Sequence, residues 1–80
     1  MGYFRIYNRT NTKIFVFISK YSNCEGCDEW YPLEAGSYDD WNRSGWEVVA
    51  VKFHDNDRSG IYTTPSTISV YGKNDIRYGY

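Results

Sequence analysis

Apolar and polar residues alternate along most of this chain with a period of two, the spacing at which side chains of an extended backbone share a face. The stretch from Trp41 to Phe53 shows it best. A polar turn, Asn42 to Gly45, lies between two tryptophans and opens into Trp46-Glu47-Val48-Val49-Ala50-Val51-Lys52-Phe53. Trp46, Val48 and Ala50 share one face, and Val49, Val51 and Phe53 the other. Both faces are mostly apolar, which predicts a central strand covered on both sides. Lys13 to Lys20 reads the same way, with Ile14, Val16 and Ile18 opposed to Phe15 and Phe17. Tyr3 to Tyr7 is a half-buried first strand, with Phe4 and Ile6 on one side and Tyr3, Arg5 and Tyr7 on the other. The polar cluster Asn8 to Thr12 then joins the first two strands as a hairpin.

Tyr21 to Glu29 is irregular and predicts a loop. Trp30 to Leu33 is extended, because Pro32 disfavours helix at Tyr31. Glu34 to Ser37 reads as a turn, and Tyr38 to Trp41 leads into the organising strand. His54 to Gly60 is a second polar turn. Short strands follow at Ile61–Thr64, ended by Pro65, at Thr67–Tyr71 and at Ile76–Tyr80, the last two separated by the turn Gly72 to Asp75. Strand signals recur at about 8–12 residues and no stretch holds a helical period, so the chain predicts a compact antiparallel β-sandwich of about six to eight short strands.

Eighty residues make one domain with a small core. The aromatic share is 20%, too many rings for such a core to enclose, so some face solvent as recognition surface or as plain strand formers. The formal net charge of -1, with no basic block, argues against nucleic acid as a partner. No run is long enough for a transmembrane segment. Met1 to Arg5 enters a strand pattern directly, so the expectation is a cytoplasmic chain or a mature form without its leader. On that reading the sequons at Asn8 and Asn42 go unused.

Candidate chemistry is sparse. Cys24-Glu25-Gly26-Cys27 is a lone C-x-x-C without the following helix that a redox pair needs. It supplies two of four zinc ligands, with His54 as a conceivable third. Loop cysteines, free or bridged, are the plainer reading. Asp55-Asn56-Asp57-Arg58-Ser59-Gly60 matches the start of a calcium loop, but Ser66 stands where the final Glu belongs. Asp55 and Asp57 are therefore weak metal candidates in what reads as a plain turn, and no cofactor is expected. No nucleophile–base pairing or catalytic motif occurs, and adjacent Asp39 and Asp40 point to opposite faces of a strand. The expectation is a protein that is not an enzyme.

Three motifs follow one another: Val16-Phe17-Ile18-Ser19 with Tyr21-Ser22, then Trp30-Tyr31-Pro32-Leu33-Glu34-Ala35-Gly36, then Trp41-Asn42-Arg43-Ser44-Gly45-Trp46-Glu47. In this order they resemble a set of small mushroom-type (fungal) cytosolic β-sandwich proteins of unassigned activity. Phe4, Ile6, Asn8 and Arg9, followed by Leu33 to Gly36, also resemble the start of thaumatin-like β-sandwiches, although those are far longer and disulfide-rich. The resemblance implies the fold and a fungal origin and brings no catalytic residue.

An aromatic–polar constellation remains: Trp30, Tyr31, Asp40, Asn42 and Arg43, with Asp39 and Trp41 beside them. Ring faces against sugar C–H groups, with Asp, Asn and Arg on the hydroxyls, suit a carbohydrate site. The alternative is that the tryptophans anchor the core and the polar residues make turns. Three function classes stay open. One is a lectin-like carbohydrate binder. The second is an interaction domain that docks a protein surface or forms a homo-oligomer. A membrane-active defence protein is the third.

Overall fold

The computed structural model describes residues 2–23 and 29–78, Tyr78 by its backbone alone. Period-two alternation is realised as eight strands among them: β1 (Tyr3–Asn8), β2 (Ile14–Ile18), β3 (Tyr31–Leu33), β4 (Tyr38–Asn42), β5 (Glu47–Lys52), β6 (Arg58–Thr63), β7 (Thr67–Gly72) and β8 (Asp75–Tyr78). They form two four-stranded sheets. Sheet I has the order β4-β1-β7-β8 and sheet II the order β3-β2-β5-β6. The fold is thus a small all-β sandwich. All pairs are antiparallel except β1 with β7, which run parallel. Among the described residues no helix is long and apolar enough to cross a membrane.

One side of each strand meets the other sheet. Phe4, Ile6, Trp41, Ile68 and Val70 come from sheet I. Ile14, Val16, Ile18, Leu33, Val49 and Val51 come from sheet II, with Phe53 just beyond β5. Two layers enclose only one interior, and this corrects two expectations. The organising strand β5 is covered on one side: Val49 and Val51 are buried while Val48 and Ala50 stay half-buried and Trp46 is 55% exposed. Strand β2 likewise buries Ile14, Val16 and Ile18 and leaves Phe15 and Phe17 half-buried on the outer side.

Strands β1 and β2 do not form a hairpin, because they belong to different sheets. Asn8 makes the crossing between them. It is fully buried, and its Nδ2 donates to Thr12 O and Leu33 O while its Oδ1 accepts from Thr10 N and Thr10 Oγ1. A buried amide with every bond satisfied holds a loop as firmly as a ladder does. Gly36, at the third position of the turn joining β3 to β4, has φ 77°, and Ser37 N–H donates to Glu34 O to close that turn. A side chain is strained at this φ, so glycine is the residue that fits. Strand β6 begins at Arg58, which shortens the expected turn after Phe53. Asn56 takes the positive φ there, a position asparagine tolerates.

Candidate functional site

The expected constellation divides among three environments. Trp30 lies over the outer face of sheet II. Its ring is 5.8 Å from that of Phe17, and Lys52 Nζ and the Arg58 guanidinium sit 5.0 and 5.8 Å from its centroid. Tyr31 is partly exposed on edge strand β3 and meets the buried Trp41 edge-on at 5.6 Å. Asp40 and Asn42 lie on the outer face of sheet I, paired in register with Arg5 and Tyr3. Trp30 and Asp40 therefore point outward from opposite layers and cannot grip one small ligand together.

Arg43 is 2% exposed and serves the loop. Its Nε donates to Ser19 O at 2.7 Å, its Nη2 to Ile18 O at 3.1 Å and its Nη1 to Asn42 O at 2.8 Å. Glu47 is also fully buried. Its Oε1 accepts from Ser19 Oγ and Tyr21 N, and its Oε2 from Ser22 N and Ser22 Oγ. Burial works against its charge, but these donors outweigh burial and hold the carboxyl below the usual carboxylate range. Ser22 Oγ also accepts from Ser44 N, which ties the stretch after β2 to the turn before β5. Arg43 and Glu47 thus pin the chain that follows β2. Cys24 and Cys27 lie outside the described residues.

An open concavity lies on the outer face of sheet I. Tyr3, Arg5 and Tyr7 face outward because Phe4, Ile6 and Asn8 face inward, and Arg9 continues the alternation past the strand end. Parallel pairing sets Arg5 beside Thr67 and Tyr7 beside Ser69, and β8 adds Arg77 opposite Ser69. Arg5, Tyr7, Arg9, Thr67, Ser69, Tyr71 and Arg77 line an open groove of ≈ 530 Å³. Each arginine is braced on a ring: Arg5 at 4.5 Å from the Tyr38 centroid, Arg9 at 4.5 Å from Tyr7 and Arg77 at 4.5 Å from Tyr71. A ring under a guanidinium restrains the side chain and leaves N–H groups able to donate to other partners.

Charge in the groove is partly balanced from its rim. Asp40 takes a two-pronged contact from Arg5, Nε to Oδ1 at 2.8 Å and Nη2 to Oδ2 at 3.0 Å. The hydrogen bond from Arg5 is the main reason the Asp40 carboxyl lies below its ordinary range, and the Arg5 pKa moves up correspondingly. Arg77 contacts Asp75 at 2.9 Å.

Asp55 and Asp57 both have partners within the chain. Asp55 Oδ1 accepts from Asp57 N at 3.1 Å, and the Asp57 carboxylate pairs with Lys73, raising the lysine pKa. No group of three or more potential metal ligands occurs among the described residues.

Of the sequence candidates, only Asp40 touches a groove residue through the contacts above. The groove's own signal is present in the chain as the alternation Tyr3, Arg5, Tyr7, Arg9, a row of rings and guanidiniums on the polar side of a strand. What period alone does not reveal is that β7 lies parallel beside β1 and completes the surface. The chain matches no protein-family model, no curated protein and no solved structure.

Proposed function

We propose that the protein is a small non-enzymatic carbohydrate-binding domain and that its ligand lies in the groove on the outer face of sheet I. One observation carries this reading: three arginines, each braced on a ring, line one open groove together with the hydroxyl-bearing residues Tyr7, Tyr71, Thr67 and Ser69. Saccharides are dense in hydroxyls that both donate and accept. A lining of this kind satisfies many of them at once. The sheet floor fixes these side chains beforehand, so little ordering entropy is lost on binding. Cleavage of a glycosidic bond takes a pair of carboxyl groups, which this lining of arginines, tyrosines, threonine and serine does not provide. A glycan array tests the reading. Specific saccharide binding that Tyr71→Ala weakens at least about tenfold, with an unchanged melting curve, supports it; an array without specific binding overturns it.

A second reading is favoured by one other feature. Trp46 and Tyr62, 55% and 62% exposed, stack at 5.2 Å on the outer side of sheet II beside edge strand β6. Such a pair suits a protein-docking or self-association surface. Sedimentation distinguishes the two: a monomer at high concentration disfavours self-association, and a dimer dissociated by Trp46→Ala favours it.

A further inference from the structure

We propose that the saccharide taken by this groove carries an acidic group, a sulfate or a carboxylate, and that Arg9 seats it; this rests on the carbohydrate reading above. The three arginines of the groove are not equivalent. Arg5 already forks onto Asp40, and Arg77 already contacts Asp75. Arg9 has no carboxylate within ion-pair distance among the described residues. It is exposed, and its guanidinium is held over the Tyr7 ring. Its backbone is fixed as well, since Arg9 N–H donates to Val70 O at 2.8 Å where β1 and β7 run side by side.

A guanidinium without a carboxylate partner among the described residues, lying 4.5 Å from a ring centroid at a groove wall, is matched by a planar or tetrahedral oxyanion, to which it can donate two parallel hydrogen bonds. Among the described residues no carboxylate is part of the groove lining, and Asp40 and Asp75 at the rim are engaged by Arg5 and Arg77. The hydroxyl-bearing residues around Arg9 then take the sugar ring itself. A nucleic acid fits less well. The formal net charge of -1 gives no long-range attraction for an extended nucleic acid strand, whereas a single acidic group on a saccharide needs only the local guanidinium. The guanidiniums over Tyr7 and Tyr71 also cover ring surface that a stacked base would need.

The test measures affinity at low salt for five probes: a chondroitin tetrasaccharide, its sulfated form, its carboxyl-reduced neutral form, inorganic sulfate and an eight-residue oligothymidylate. Wild type, Arg9→Gln and Arg9→Lys are compared, with a melting curve for each. The expected result is that one or both acidic tetrasaccharides bind at least about tenfold more tightly than the neutral one. Arg9→Gln removes that advantage by lowering the acidic affinity far more than the neutral one, Arg9→Lys keeps part of it, and added salt narrows it. A sulfated form that alone gains identifies sulfate as the group; equal gain by the unsulfated form identifies the carboxylate. Equal binding of acidic and neutral forms, or an advantage that survives Arg9→Gln, overturns this inference and leaves the carbohydrate reading standing. Binding of none of the three saccharides overturns both. Inorganic sulfate as tight as the sulfated tetrasaccharide, or oligothymidylate tighter than any saccharide, also overturns the proposal, in favour of a free anion or of nucleic acid.

Discussion

Glu47→Gln should destabilise the domain more than any change to the exposed aromatics around it. The wild-type carboxylate accepts from Ser19 Oγ, Tyr21 N, Ser22 N and Ser22 Oγ. A glutamine keeps one acceptor oxygen and turns the other into an NH₂ that faces the Ser22 N–H, donor against donor. A hydrogen bond to a charged group contributes about 1.5–3 kcal/mol, and water near the half-buried Ser22 recovers part of it. The net loss is therefore about 2–3 kcal/mol, and about 3–5 kcal/mol for Glu47→Ala, which also strands the buried Ser19 hydroxyl. A domain of this size has a stability on the order of 4–12 kcal/mol, so the alanine variant should be marginal. Urea unfolding followed by tryptophan fluorescence measures both. The pH dependence gives a second handle. The folded pKa of Glu47 lies below the ordinary value of 4.5, so its contribution is complete above that value and is lost as pH falls through the folded pKa. The glutamine variant should lose less stability than the wild type over that acid range. A Glu47→Gln protein within about 1 kcal/mol of wild type, with the same acid profile, would refute the reasoning.

Trp41 and Trp30 should separate cleanly. Trp41→Ala empties a core position and should cost about 3–5 kcal/mol, whereas Trp30→Ala on the outer side of sheet II should cost about 1–2 kcal/mol, both read from urea midpoints. Ser66 Oγ is buried without a hydrogen-bond partner among the described residues, so Ser66→Ala should leave stability unchanged or raise it by up to about 1 kcal/mol. EDTA should leave the melting temperature unchanged, because Asp57 is engaged by Lys73 and Asp55 by the Asp57 amide. A shift of several degrees, restored by Ca²⁺, would return Asp55 and Asp57 to consideration as ligands.

Fold class was legible because alternation is a local property. Phe4, Ile6, Ile14, Val16, Ile18, Val49, Val51, Phe53, Ile68 and Val70 all point inward as their spacing indicates. Two kinds of information were not local. Which strand lies beside which depends on contacts such as the Asn8 amide reaching Leu33 O, and a polar cluster between two strands reads equally as a hairpin turn or a crossing. Burial of charge was the second. Arg43 and Glu47 sit in a polar, turn-like context, yet both are buried because backbone carbonyls, amide N–H groups and serine hydroxyls some 20–30 residues away satisfy them. The apolar outer face of β5 misled for a related reason: Val48 and Ala50 are shielded only by side chains around them, such as Tyr62, and not by a third layer. The candidate site shows the same limit, since Arg5, Tyr7 and Arg9 were visible as a row but their partners Thr67, Ser69 and Tyr71 were not.

The central claim places ligand recognition on the outer face of sheet I, and an amide-resolved NMR titration with the saccharide selected on the array tests it most directly. The expected result is a contiguous set of shifted amides at Arg5, Tyr7, Arg9, Thr67, Ser69 and Tyr71, with Phe17, Lys52 and Tyr62 on sheet II unmoved. Shifts centred on Trp30, Trp46 and Tyr62, with β1 and β7 silent, would contradict it.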